Sequence, residues 1–301
     1  MRKTKIFVTA GLTIFIVFGS LFIPKAMSDA AKSRHYDGFN SVAIDKRSAN
    51  ICIVSVYKST NENGEEDTSY SEGASGVIFA RKGPVYYAIT ASHVIDGKDC
   101  ATRYLARTTD IKDYRVLSQE EQTNNSDKKE QQHDEPSGSS QAANISMTLN
   151  DYYKNFPELK VEYTDTKSGL AIVSFNAENR KYETVPIAKS NPSRNEKLML
   201  VSNPEGEHFV QTYGKILSSS VREFSTKKNP YSYNVLMHSA FESYGSSGGA
   251  AYNQKGELVG INIGGSVDIF GNFRKGALVP CEIVNETVNR WQTYFANDVD
   301  F

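Results

Sequence analysis

The sequence predicts an all-β body, and three observations carry that reading. Short runs rich in β-branched and aromatic residues recur along it, among them Ile51–Tyr57, Val85–Thr90 and Leu170–Phe175. Turn-forming pairs punctuate these runs, as in Arg81-Lys82-Gly83-Pro84 and Asn203-Pro204. Helical periodicity marks the C-terminal end, where Val284, Val288, Trp291 and Phe295 fall at i, i+4, i+7 and i+11. Many short strands with turn punctuation argue for a barrel or a sandwich.

The elements follow in order. Ile51–Tyr57 is the first strand. The polar, acidic stretch 59–72 reads as a loop. Gly76–Ala80 and Val85–Thr90 form a hairpin about Gly83-Pro84, since Gly and Pro supply the backbone angles of a tight turn. Residues 118–144 are rich in Gln, Asn, Ser, Glu and Lys. Such a segment cannot bury enough apolar surface to offset its ordering entropy, so it reads as a disordered surface insertion, with docking or regulation as its functional alternative. Strands resume at Lys160–Tyr163 and Leu170–Phe175, and a linker with Pro186 and Pro192 opens a second half. Lys197–Val201, Phe209–Leu217, Ser232–His238 and Glu257–Ile263 are strands of that half. A helix opens after Val279-Pro280, and its single apolar stripe predicts that Trp291 packs it onto the body.

The chain divides into a leader (1–27), a polar tether (28–48), the β body with its helix (49–296, including the insertion) and a short tail (297–301). Arg2, Lys3 and Lys5 precede an uncharged run of 18 residues, Ile6 to Ile23. That length meets the lower limit of a membrane-spanning helix and exceeds a usual signal-peptide core. A retained anchor and a cleaved signal peptide both fit; either places the body outside the cytoplasm, tethered to the membrane or secreted.

Hydrophobic residues make up 39% and charged residues 23% of the chain, with a formal net charge of -1. This composition suits a globular body and carries no basic stripe for nucleic acid. The histidines are scattered and no Cys-x-x-Cys or His-Glu-x-x-His spacing occurs, so neither a metal nor a cofactor is expected. The odd count of cysteines (Cys52, Cys100, Cys281) leaves at least one unpaired; Cys52 reads as a small buried residue, and a Cys52–Cys100 bridge is left open.

Two segments carry chemistry. Tyr244-Gly245-Ser246-Ser247-Gly248-Gly249-Ala250 holds a serine in a glycine-rich turn, and Thr90-Ala91-Ser92-His93-Val94 places a histidine just after a strand. A hydroxyl becomes a nucleophile only beside a proton acceptor, and imidazole titrates in the range that work requires. The pair is the minimum equipment for acyl transfer.

With these residues in view, the chain resembles the trypsin-like, chymotrypsin-fold serine peptidases, and most closely the HtrA/DegP-like bacterial branch. The likeness runs in order through Gly73–Ile78, Thr90–Val94, Val201–Pro204, Gly245–Gly249, Gly256–Asn262 and Ala277–Pro280. It implies two six-stranded antiparallel β-barrels with a site between them and a C-terminal helix; a trailing PDZ domain is not expected, because the sequence ends soon after that helix. It implies Ser247 as nucleophile, His93 as general base, and the N–H groups of Gly245 and Ser247 as an oxyanion hole for a protein or peptide substrate. The family places an acid directly before the Leu-Ala strand, where this chain has Gly169. Asp165, four residues earlier, and Ser168, a weaker hydrogen-bonding substitute, are the candidates for the third role. A second reading follows from Gly169: a catalytically weakened, peptide-binding module on the same scaffold. Phe241, six residues before Ser247, falls at the family's pocket floor; with no acid there, a small or apolar side chain is the expected preference.

Overall fold

A computed structural model describes residues 35–60, 64–97, 100–114, 116–117, 147–226 and 229–295. The leader, the start of the tether, the 118–144 insertion and the tail lie outside the described residues. Among those described, no helix is long and apolar enough to cross a membrane.

Strands β1 (Asn50–Thr60), β2 (Glu66–Lys82), β3 (Val85–Ala91), β4 (Arg103–Arg107), β5 (Glu158–Asp165) and β6 (Leu170–Asn176) form a closed barrel in the order β1-β2-β3-β6-β5-β4. β7 (Lys197–Ser202), β8 (Val210–Lys215), β9 (Arg222–Thr226), β10 (Asn229–His238), β11 (Ala250–Tyr252), β12 (Leu258–Val267) and β13 (Phe273–Pro280) form a seven-stranded sheet ordered β8-β7-β11-β12-β13-β10-β9. A single bridge, Ile216 to His238, joins the end of β8 to β10. The second unit is therefore a half-closed barrel, with β9 added as a hairpin arm on β10. Among the described residues, helices α1 (Asn40–Asp45), α2 (Leu149–Tyr153) and the 15-residue α3 (Cys281–Phe295) accompany the sheets.

The strands of the first barrel are apolar on both faces for a physical reason. Ile51, Ile53, Ile78, Tyr86, Ala88, Val173 and Phe175 fill its interior. The alternate residues Val77, Phe79, Ile89, Leu170 and Ile172 face outward into a second cluster with Met199, Val201, Tyr252, Ile261 and Val279 of the other unit. Alternation along a strand thus feeds two cores rather than one core and solvent. Residues at the junction of the units are consequently held on all sides.

Several expectations need correction. The stretch 59–72 is not a plain loop, because β1 and β2 continue as a long hairpin in which Thr60 pairs with Glu66 and Tyr57 with Ser69. Its polar composition fits a ribbon that leaves the barrel. The tether ends earlier than 48: Phe39 is fully buried and Val42 nearly so, packed into the core shared by both units. Two aromatics, Tyr36 and Phe39, in a polar stretch gave no periodicity to read. β4, β9 and β11 are too short or too polar for pattern reading. Cys52, Cys100 and Cys281 are all free thiols, and Cys52 is buried.

α3 seats on this body as its stripe predicts. Val284, Val288 and Trp291 are buried, and Trp291 meets Phe79 edge-on (centroids 5.9 Å) and Tyr87 at 5.0 Å. Asn191 caps the helix start, its Oδ1 accepting the Glu282 N–H at 3.1 Å, which satisfies one of the orphan donors of a first turn. Further along, Arg290 pairs with Asp165 and Thr287 Oγ1 donates to Ser168 Oγ at 3.2 Å. The helix is thus a strap across the β5–β6 turn. Burial opposes ionisation of Asp165, but the Ser168 N–H and the Arg290 charge outweigh it and hold the carboxyl below its ordinary value. Its stabilising contribution is therefore complete above the usual carboxylate range and is lost as pH falls below that range.

Trp291→Ala is expected to lower unfolding free energy by about 3–5 kcal/mol, read as a shift of the urea midpoint. A cost below about 1 kcal/mol would show that the helix is not part of the core.

Candidate active site

His93 reaches the site because β3 ends in a tight turn. After Ala91 the chain enters a one-turn 3-10 helix, Ser92–Val94. Ser92 N–H donates to the carbonyl of Gly169 at 2.8 Å, and Thr90 Oγ1 donates to the carbonyl of Ser75 at 2.7 Å. These bonds fix the turn to β2 and to the β5–β6 loop. The imidazole Nε2 lies 2.9 Å from Ser247 Oγ, across 154 positions of sequence. The two residues singled out in the sequence are therefore in hydrogen-bonding contact across the junction.

The turn holding Ser247 requires its glycines. Gly245 has φ +96°, and a Cβ there would fall 2.0 Å from the Asn203 carbonyl oxygen; at Gly248 (φ +84°) it would fall 1.9 Å from the Ser75 carbonyl oxygen. Both the left-handed conformation and the close approach exclude a side chain. The backbone donors of the turn then divide into two sets. The N–H groups of Ser246, Gly248 and Gly249 donate to Ser243, Asn262 and Ser246 carbonyls at 2.9, 2.7 and 3.0 Å. Those of Gly245 and Ser247 have no acceptor among the described residues. Two unspent donors flanking a hydroxyl are what a developing oxyanion needs.

Ser75 ties this turn to the first barrel. Its N–H donates to the Ser247 carbonyl at 2.8 Å, and its hydroxyl donates to the Gly245 carbonyl at 2.7 Å. That hydroxyl also accepts from Asn203 N and Asn203 Nδ2, each at 3.0 Å. Asn203 Oδ1 in turn accepts the Phe209 N–H at 2.9 Å. Sequence reading found Ser75 and Asn203 only as parts of motifs and gave neither a task. Their signal is composition: buried polar residues must find partners, and both are about 1% exposed.

The structure does not bring Asp165 to His93. Its Oδ1 accepts the N–H groups of Lys167 (3.1 Å) and Ser168 (3.3 Å), and its Oδ2 pairs with Arg290. It caps its own turn and anchors α3. Ser168, the other candidate, donates its hydroxyl to the Asp165 carbonyl at 3.2 Å and accepts from Thr287. Gly169 has φ +76°, and a Cβ on it would lie 2.8 Å from both Cδ1 and Cε1 of Tyr233. The ring of Tyr233, 4% exposed, fills the space into which an acid at 169 would project. The departure at Gly169 is thus built into the packing.

Beneath the nucleophile turn lies a polar group that sequence reading missed. Phe241 is buried, edge-on to Phe273 with centroids 5.5 Å apart. The next residue, Glu242, turns its side chain toward β12. Its Oε1 sits where a Cβ on Gly265 would come within 2.1 Å, and its Oε2 accepts from Asn262 Nδ2 at 3.4 Å. Asn262 Nδ2 also donates to the Ser246 carbonyl at 3.1 Å, and its Oδ1 lies 3.0 Å from His238 Nε2. Burial pulls the His238 pKa down to about 4, so it stands neutral. Burial also pushes the Glu242 carboxyl up to about 7. Among the described residues no group of three or more His, Cys, Asp or Glu side chains is placed to hold a metal ion.

The Glu242 shift has a definite sign. Unfolded, the carboxyl releases its proton near its ordinary value of 4.5; folded, it holds it to about 7. The unfolded state binds fewer protons across that window, so this residue costs stability increasingly as pH rises through it. Glu242→Gln is expected to raise the melting temperature above pH 7 and to leave it unaltered at pH 4. An equal effect at both pH values would remove the carboxyl from this account.

Comparison with known proteins places this geometry. The chain is 26% identical over 209 residues to "Serine protease Do-like HtrA" of Lactobacillus helveticus, covering 68% of this chain and 38% of that protein. It is 32% identical over 128 residues to "Probable serine protease do-like" of Buchnera aphidicola, covering 42% of this chain and 26% of that protein. The chain thus spans well under half the length of these relatives. Among solved structures, the HtrA-type protease AlgW with a decapeptide shares the fold at TM-score 0.58 and 16% identity, over 84% of this chain and 67% of the other. The active form of the M. tuberculosis protease Rv3671c does so at TM-score 0.51 and 14% identity, over 83% of each chain. The family model "Trypsin-like peptidase domain" matches residues 74–261, a span that holds both His93 and Ser247, and the chain belongs to that family.

Proposed function

We propose that this protein is a serine endopeptidase in which Ser247 is the nucleophile and His93 the general base. The observation that carries this reading is the 2.9 Å contact between His93 Nε2 and Ser247 Oγ beside two unspent backbone donors. In the reaction, His93 takes the hydroxyl proton as Oγ attacks the substrate carbonyl. The carbonyl oxygen gains charge and is met by the N–H groups of Gly245 and Ser247. Collapse of the tetrahedral species expels the amine, which takes the proton from His93, and leaves an ester on Ser247. Water, deprotonated by His93, then hydrolyses that ester.

The backbone of His93 is held by its turn, and Asp165 is not the carboxylate that orients the ring. Asp165 acts one step removed: it secures the β5–β6 turn whose Gly169 carbonyl holds Ser92. Asp165 therefore adds no direct charge stabilisation to the imidazolium formed during attack. In the triad example of general enzymology, losing the acid's charge lowers turnover about 10⁴-fold while rate above water remains. Gly169 in the family's acid position sustains the second reading, a peptide-binding module on the same cleft.

The basic leader followed by an apolar run supports export of the body, held by an anchor or freed by cleavage. N-terminal sequencing of the mature protein from a membrane fraction separates those two: an intact Met1 or Arg2 start means an anchor, a start near residue 28 means a cleaved leader.

A fluorophosphonate probe is expected to label Ser247, with labelling abolished in Ser247→Ala and slowed roughly 10⁴- to 10⁶-fold in His93→Ala. Labelling that ignores His93 would sink the mechanism and favour the binding module. Asp165→Asn is expected to keep peptide turnover within about threefold of the parent, against the ~10⁴-fold loss of a true triad acid. The same change should cost roughly 1–3 kcal/mol of stability through the weakened Arg290 pair.

A further inference from the structure

We propose that His208 is a positioning residue for the reaction: docked between Glu72 and Arg107 of the first barrel, it holds the segment 203–209, whose Glu205 N–H fixes the direction of the Gly245 donor. This goes beyond the peptidase reading and rests on it only for the charge that the donor would meet.

The first observation is a shared peptide plane. The Tyr244 carbonyl and the Gly245 N–H belong to one peptide unit, planar and trans, so they point in opposite directions. Glu205 N–H donates to that carbonyl at 2.6 Å. Ser243 Oγ donates to Glu205 Oε1 at 3.0 Å and ties the same residue to the turn a second time. Holding the carbonyl therefore holds the donor. A peptide unit that turned over would aim the Gly245 N–H the other way.

The second is a segment that needs outside support. Glu205 (φ +57°) and Phe209 (φ +54°) both take the left-handed conformation that residues other than glycine rarely adopt. Such residues persist where the surrounding contacts over-determine them. Asn203 secures the near end, its Nδ2 donating to the Ile51 and Ala74 carbonyls and its Oδ1 accepting the Phe209 N–H. His208 secures the far end.

The third is the clasp itself. His208 Nε2 meets Glu72 Oε2 of β2, and Arg107 Nη1 of β4 lies 2.9 Å from His208 Nδ1. An imidazole with its proton on Nε2 donates to the carboxylate and accepts from the guanidinium at once. Both partners are braced in turn. Arg107 also pairs with Glu72 at 3.2 Å and with Asp113 at 3.7 Å, and Tyr153 Oη donates to Glu72 Oε1 at 3.0 Å. Burial opposes ionisation of Glu72, but His208 and Arg107 outweigh it and hold the carboxyl below its ordinary value. A desolvated ion cluster stabilises a fold no better than apolar packing of the same volume. Its directional bonds instead fix position, here between the first barrel and the segment that backs the nucleophile turn.

Three readouts test this. In peptide hydrolysis, His208→Ala should lose about 100-fold in kcat, the scale of one lost oxyanion donor, with KM within about threefold of the parent. His208→Gln, which keeps a donor and an acceptor, should recover part of that loss, and Glu72→Gln should lower kcat without removing volume. A peptidyl aldehyde, whose hemiacetal oxygen on Ser247 occupies the oxyanion position, separates positioning from general damage. Its inhibition constant should rise about 100-fold in His208→Ala, while a substrate peptide should bind Ser247→Ala and Ser247→Ala/His208→Ala alike. Equal losses for aldehyde and peptide, or an unchanged kcat, overturn the proposal. Crystal structures read the 244–245 peptide without any activity. It should be rotated, or split between two orientations, in His208→Ala; Glu72→Gln gives the same reading where His208→Ala does not fold. An unchanged peptide in a folded variant overturns the proposal. A parent protein that a fluorophosphonate does not label loses the peptidase reading alone, and the crystallographic comparison then decides the positioning by itself.

Discussion

The distance between His93 and Ser247 is a property of the junction between two β units, and the hydroxyl of Ser75 is the bond centre of that junction. Ser75 belongs to β2 of the first barrel. Through three hydrogen bonds it holds the Gly245 carbonyl and the backbone and side chain of Asn203, all from the second unit. Asn203 Nδ2 reaches back to the carbonyls of Ile51 and Ala74 at 3.2 and 3.3 Å. Every atom in this set is buried, so a lost bond leaves an unsatisfied group and not a hydrated one. The same contacts set which way the Gly245 N–H faces. One network therefore fixes both the nucleophile and the donors that would receive the charge.

A second line of force runs from the C-terminal helix. Trp291 docks α3 onto Phe79 and Tyr87, and Arg290 and Thr287 clamp the β5–β6 turn. That turn holds Ser92 through the Gly169 carbonyl. The imidazole is thus steadied by a backbone chain from helix to turn to histidine. The left-handed Gly169 and the Tyr233 ring make this arrangement incompatible with an acid in the usual place. Orientation is supplied by packing, while charge stabilisation of the imidazolium is not supplied by any carboxylate of this turn.

The polar group below the nucleophile turn follows a different logic. His238, Asn262 and Glu242 form a short chain in which the imidazole is neutral and the carboxyl is unpaired. A desolvated acid with no counter-ion among the described residues works against folding as it ionises. The stability lost at Glu242 originates in desolvation with only a neutral amide as its partner among the described residues.

Much of this was legible in the amino-acid order. The alternation of Ile51–Tyr57 and Leu170–Phe175 specified strands, the period of Val284, Val288 and Trp291 specified a packed helix, and the glycines about Ser247 specified a tight turn. These are local constraints, set by backbone sterics and side-chain period, and they act wherever the segment sits. Fates that depend on distant partners were not legible. Asp165 looked like a triad substitute until Arg290, 125 positions away, claimed its carboxylate. Phe39 looked like tether until both units buried it. Phe241, expected at a pocket floor, packs edge-on against Phe273, and Glu242, given no role from sequence, lies against Gly265. The sequence by itself determined the strands, the helix, the turn chemistry and the pairing of a serine with a histidine. Only the tertiary structure decided which acid is spent on structure and where each side chain finds its partner, because burial and charge pairing are properties of neighbours and not of order.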